Sequence, residues 1–213
     1  MPMTSDRLPP IVGIVLAGGR SRRMGGGDKS FALLAGRPLI AHVVARLVPQ
    51  VTAVVVSANG PPLRYASLGL PVVADTVAGF AGPLAGFLAG MEWARENLPE
   101  AVHVATVAAD TPFFPTDLVA RLSAAAGPEG MAVARTMGRN HPVFALLPVS
   151  GAGDLNRFIA AGGSLKVADW LARYDVMAVD FDEDASGYDP FFNINTPMEL
   201  ARAEKMTGGC TPA

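Results

Sequence analysis

Between Gly18 and Lys29 the chain reads GGRSRRMGGGDK: five glycines, three arginines and one lysine. Glycine lets backbone N–H groups come close to a ligand, and Arg20, Arg22, Arg23 and Lys29 can neutralise several phosphate charges at once. That composition suits the wrapping of a polyanion; a solvated basic loop is the alternative it also allows. Further along, Asn59, Asp75 and Asp110 each follow an apolar run, and Asp110 is succeeded by Thr111-Pro112. A carboxylate beside a polyphosphate is a natural ligand for Mg²⁺, which keeps several waters and takes one or two protein carboxylates plus phosphates. The competing reading makes Asn59 and Asp75 turn formers and Asp110 a helix cap, although Thr116 is better placed to cap.

The elements that must position these residues follow from patterning. Residues 11–17, 51–57, 70–74 and 101–108 are short apolar runs of the kind buried on both faces of a parallel sheet. Between them, Leu39, Ile40, Val43, Val44 and Leu47 recur at helical spacing after Pro38, with Pro49 closing the helix. A second helix runs from near Pro83 to Arg95, whereas residues 61–67 are poorly patterned. Thr116 reads as the N-cap of a third helix through Leu118, Leu122 and Ala125. Strands alternating with helices predict the α/β class: a Rossmann-like, mostly parallel sheet flanked by helices. In such sheets ligands bind outside the carboxyl ends of the strands, so Gly18-Gly19, Asn59, Asp75 and Asp110 would share one edge.

The second half changes character. Residues 131–135 and 142–147 read as strands separated by the turn-like MGRN, a short antiparallel excursion in the C-terminal half. Helices at 155–160 and 165–174, a strand at 176–180 and a helix from Met198 complete the pattern. With no internal repeat or linker, residues 1–213 are expected to form a single domain, with 1–10 and 208–213 as flexible tails.

Half of the 213 residues are hydrophobic and the formal net charge is −2, which argues against general nucleic-acid binding. No uninterrupted apolar run approaches the ~18 residues of a membrane span; alanine abundance accounts for the mean hydropathy of +0.32. MPMTSDRLPP lacks the apolar core of an export signal, and Cys210 has no intrachain partner, so a reducing, cytoplasmic location is expected. The glycine segment carries neither a P-loop GxxxxGK[ST] nor a GxGxxG fingerprint, which speaks against a standard NTPase and a dinucleotide oxidoreductase. No Ser/Cys–His pair suggests covalent catalysis; His42 and His103 read as structural.

The stretch LAGGRSRRMGGGDKSFALLAGRPLI closely resembles the signature loop of the nucleotide-sugar-type nucleotidyltransferases, LAGGxSxRMGxDK followed by G(K/R)PL. VVVSAN, VVADTVAGFAGPLAGFLAGM and AADTPFFPTDLVARL continue the likeness; NHPVFALLP and FFNINTPMELARAE bring it closest to the molybdenum cofactor guanylyltransferase family. One departure is Gly25-Gly26-Gly27-Asp28, a residue longer than the shortest MGxDK form. The resemblance implies a nucleotide-diphospho-sugar transferase-like fold and transfer of GMP from GTP to the terminal phosphate of molybdopterin, with Mg²⁺ as cofactor. Leu16, Ala17, Gly18 and Gly19 would contact the nucleotide, Lys29 its phosphates, and Asn59 and Asp75 the guanosine. Asp110 would bind nucleotide and metal, and Arg23 would assist with phosphate charge. His141, Asn193 and Asn195 match acceptor-side motifs. Further partners implied are cofactor-insertion proteins and apo-molybdoenzymes, with no nucleic acid or membrane, in a monomer or weak homo-oligomer. The rivals are a molybdopterin cytidylyltransferase or another sugar- or alcohol-phosphate nucleotidyltransferase of this fold, and a non-catalytic GTP-binding adaptor that delivers cofactor.

Overall fold

The computed structural model describes residues 9–18, 29–75, 82–183 and 187–208. β1 (Ile11–Leu16) is apolar throughout because it is covered twice: Ile11 and Val15 enter one core, Val12 and Ile14 the other. A two-rung hairpin of β2 (Leu33–Leu34) and β3 (Arg37–Pro38) leads into α1 (Leu39–Leu47), which buries Leu39, Ile40, Val43 and Leu47. Pro38 takes the N-cap position, and Pro49 lies in a 3-10 turn, Val48–Gln50, that ends the helix. Next come β4 (Ala53–Ser57), β5 (Val72–Val73), α2 (Pro83–Asn97) and β6 (His103–Ala108). The chain continues through α3 (Leu118–Ala126), β7 (Met131–Thr136), β8 (Arg139–Pro148), α4 (Ala152–Ala160), α5 (Val167–Leu171), β9 (Val176–Asp180) and α6 (Pro197–Gly208).

The main sheet has seven strands in the order β5-β4-β1-β6-β8-β7-β9. Neighbours pair in parallel except β8, which is antiparallel to both β6 and β7. The mostly parallel sheet with a C-terminal antiparallel excursion is therefore observed. α1 and α3 cover one face and α2, α4 and α5 the other. α2 lies close on the sheet because Gly90 has no side chain: a Cβ there would sit 2.3 Å from Ile14 Cδ1. Overpacking of that kind costs about 1–3 kcal/mol.

Several local expectations are corrected. The β7–β8 turn is narrower than MGRN: Met137 (φ 50°) and Gly138 (φ 75°) make a two-residue turn, while Arg139 and Asn140 already pair with Thr136 and Arg135. Thr116 does not cap α3. Asp117 occupies the N-cap position without a side-chain bond, and the helix start is closed instead by Leu118 N–H donating to Pro115 O (3.2 Å). Residues 62–68 form a 3-10 stretch, Pro62–Leu68, whose buried Tyr65 packs on Phe31 with ring centroids 5.2 Å apart. The third strand shortens to Val72–Val73, and the helix expected at 165–174 to Val167–Leu171. Among the described residues no helix is long and apolar enough to cross a membrane.

Candidate active site

Strand register brings the polar strand ends together. Leu16 lies opposite both Ser57 and Ala108, and Ser57 opposite Val73, so four parallel strands end level. The ladders run one residue further through Ala17 N–H to Ser57 O (2.8 Å), Ala58 N–H to Val73 O (2.9 Å) and Ala109 N–H to Leu16 O (3.0 Å). Beyond this rim lies a cavity of about 260 Å³, lined by Leu16, Ala17, Gly18, Lys29, Asp75 and Asp110. Its far wall is the start of α2, contributed by Gly82, Pro83 and Gly86. A Cβ on Gly86 would lie 2.6 Å from Leu16 Cδ2 and 2.7 Å from Ser57 Oγ, so glycine is what lets the helix reach the rim. The positive end of the α2 dipole therefore faces the cavity and favours an anion there.

Asp110 is buried, 7% exposed, and ion-pairs with Lys29. Lys29 Nζ also donates to Asn195 Oδ1 (2.5 Å). Thr111 Oγ1 lies 2.7 Å from Asn193 Oδ1 and 3.2 Å from Asp110 Oδ1; its single proton goes to the nearer oxygen. Ile194 N–H donates to Asp110 O (2.9 Å), so residues 193–195 are stitched along Asp110-Thr111. Asn193 lines the cavity. A burial of charge this deep is tolerable because the carboxylate is paired with the Lys29 ammonium, which donates to it.

Asn59 acts at one remove. Its Nδ2 donates to Asp75 Oδ2 (2.5 Å) and its Oδ1 accepts from Asp75 N–H (3.1 Å), which clamps Asp75 onto the cavity wall, while Asn59 itself is not in the lining. Gly19, Arg20, Arg22 and Arg23 lie outside the described residues. His141, on β8, does not line the cavity, although Val143 does. Its ring stacks on Phe191 at 4.5 Å, and its buried Nε2 has no hydrogen-bond partner among the described residues. Burial pushes its imidazole below the usual histidine range, opposed by nearby Asp189 and reinforced by Arg139. His42 and His103 bond to the carbonyls of Leu34 (2.8 Å) and Gly130 (3.1 Å).

Among the described residues no three His, Cys, Asp or Glu gather as a metal cage. Two carboxylates, Asp75 and Asp110, line the cavity, and one or two such oxygen donors suit a hard cation that arrives with polyphosphate and keeps its waters, so Asp110 fits Mg²⁺. The sequence reading missed Thr111, the α2 wall and Glu199. A signal for Glu199 was present: Thr196-Pro197-Met198-Glu199 has capping-box spacing.

The sequence model of the MobA-like NTP transferase domain matches residues 13–176. The chain belongs to this family. Within the MobA-like match lie Leu16 to Gly18, Lys29, Asn59, Asp75 and Asp110; Asn193 and Asn195 come from beyond it. A molybdenum cofactor guanylyltransferase of Bradyrhizobium sp. strain ORS 278 is 48% identical over 206 residues, covering 96% of each chain. The crystal structure of molybdopterin-guanine dinucleotide biosynthesis protein A from Archaeoglobus fulgidus superposes with a TM-score of 0.70 at 25% identity, over 93% of this chain and 100% of that one. A Mycobacterium tuberculosis protein solved in complex with manganese shares the fold, with a TM-score of 0.67 at 18% identity over 92% and 98% of the two chains.

Proposed function

We propose that this chain transfers GMP from GTP to the terminal phosphate of molybdopterin, releasing pyrophosphate. The observation that carries the reading is the Lys29–Asp110 pair at the carboxyl rim of four parallel strands, inside a cavity faced by a helix N-terminus. The relatives named molybdenum cofactor guanylyltransferase support the choice of substrates. GTP as donor fits a cytoplasmic location.

The residues divide the work by position. The backbone at Leu16, Ala17 and Gly18, with Asp75 held by Asn59, receives the guanosine. Lys29 and the positive end of α2 hold the triphosphate. A terminal phosphate oxygen of molybdopterin attacks the α-phosphorus in line; the bond to the β-phosphate bridging oxygen breaks, and pyrophosphate leaves. The nucleophile is already an anion, so no general base or covalent enzyme intermediate is required. Lys29 offsets the charge that builds on the α-phosphate and leaving group, the kind of stabilisation that dominates phosphoryl-type transfer. Asp110 would hold Mg²⁺, which supplies further charge neutralisation when bound with the triphosphate. Asn193 and His141 stand on the acceptor side of this scheme.

Pyrophosphate release from molybdopterin with each NTP tests the proposal. GTP should be preferred by at least tenfold. Preference for CTP would make the chain a cytidylyltransferase, and GTP binding without turnover would make it an adaptor.

A further inference from the structure

Lys29 is held by two acceptors of different kinds. Asp110 fixes the ammonium and also neutralises it; the neutral carboxamide oxygen of Asn195 fixes it while leaving its charge available to a phosphate. Asn195 is 166 residues distant in sequence and lies just before α6. Its own placement is secured from both sides. Ile194 N–H donates to Asp110 O (2.9 Å), and Asn195 N–H donates to Glu199 Oε2 (2.8 Å). Thr196 Oγ1 donates to the same Glu199 oxygen (3.0 Å) and accepts from Glu199 N–H (3.2 Å).

This is a capping box displaced by one residue. In the ordinary form the glutamate returns to the N–H of the capping residue itself. Here the carboxylate reaches past Thr196 to the residue whose side chain accepts from Lys29. We propose that Glu199 is a positioning residue for Lys29, acting through Asn195. A lysine side chain has many rotamers to lose, so a second, neutral acceptor held by a helix start keeps the ammonium at the rim when Asp110 is engaged elsewhere. The inference rests on the guanylyl-transfer reading only for its effect on turnover.

The chain has three lysines, Lys29, Lys166 and Lys205, and the last two are exposed. The side-chain ¹⁵Nζ spectrum of ¹⁵N-lysine-labelled protein therefore reports Lys29 against two internal references. In Glu199→Ala the Lys29 signal should move at least halfway toward the other two, and kcat should fall about tenfold with the KM for GTP within about twofold. Glu199→Gln should restore both, because its carbonyl oxygen can still accept from Asn195 and Thr196. Asn195→Ala should match Glu199→Ala, and the double variant should be no worse than either. Glu204→Ala is the control for loosening α6: Glu204 Oε1 accepts from Ala35 N–H (2.8 Å) and is not bonded to Asn195. It should lower Tm and leave the Lys29 signal in place. Should Glu199→Ala fail to fold, Glu199→Met, which keeps the stem and helix propensity, takes its place. An unmoved Lys29 signal, equal movement in Glu204→Ala, or losses that multiply in the double variant would overturn the proposal. The spectrum needs no turnover, so failure of guanylyl transfer with every NTP would leave this test intact.

Discussion

Lys29–Asp110 lies on the β1–β6 side of the sheet rim and Arg135–Asp180 on the β7–β9 side, both at the carboxyl end of parallel strands. Arg135 makes a two-pronged contact with Asp180, Nε to Oδ1 (2.6 Å) and Nη2 to Oδ2 (2.5 Å), in full view of solvent. Each holds the other in its charged form, with Arg135 raised and Asp180 lowered by their mutual hydrogen bonds. Arg121 adds a bond to Asp180 O and stacks over Phe181 at 4.1 Å. This pair closes an edge strand and has nothing to release. Lys29–Asp110 is largely withdrawn from water, is single-pronged on Asp110, and shares its ammonium with Asn195. On the proposed function, burial beside a cavity, rather than the presence of an ion pair, separates a reactive pair from a fastening one.

Breaking each pair should expose the difference. Lys29→Ala is expected to lower kcat/KM by two to three orders of magnitude, about 2.7–4 kcal/mol, the usual loss on removing one electrostatic donor from a transition state. Arg135→Ala should leave kcat/KM within about twofold, since an exposed pair is screened and neither partner lines the cavity. Steady-state kinetics on the two variants measures both; equal losses would erase the distinction. A smaller effect belongs to Asn59→Ala. Loss of its clamp frees Asp75, and at about 0.5–1.5 kcal/mol for a hydrogen bond the GTP affinity should fall about two- to tenfold by calorimetric titration, with kcat little changed.

The smallest effect is one of pH and concerns the far side. Burial holds the His141 and His103 imidazoles below their ordinary 6.5. Below that pH the unfolded chain binds more protons than the folded one, so stability should decline as pH falls from 7 toward 5. His103→Gln should flatten that slope in urea unfolding without changing activity at pH 7.5 by more than about threefold.

The rim was legible in the sequence because its parts are local. An unbroken apolar run followed by Asp110 or Gly18 marks a strand end, and Pro83 marks a helix start, without knowledge of any partner. What could not be read was set by distance. Nothing in the period of residues 139–148 says that β8 inserts between β6 and β7, since the choice depends on which faces remain uncovered elsewhere. The short backbone closure at Pro115 replaced the expected Thr116 cap because the preceding turn already supplies an acceptor. Asn59 was legible as polar at a strand end, but its clamp on Asp75 appears only when β4 and β5 lie side by side. Asn195 was visible through its motif; its bond to Lys29 joins two ends of the chain.

The most direct measurement is a crystal structure of the protein with GTP and Mg²⁺. Guanosine is expected between Leu16–Gly18 and Asp75, the triphosphate along the start of α2, and Lys29 moved from Asp110 onto a phosphate with its Asn195 contact kept. GTP bound elsewhere, or bound in the cavity with Lys29 still paired to Asp110 and touching no phosphate, would contradict the proposed function.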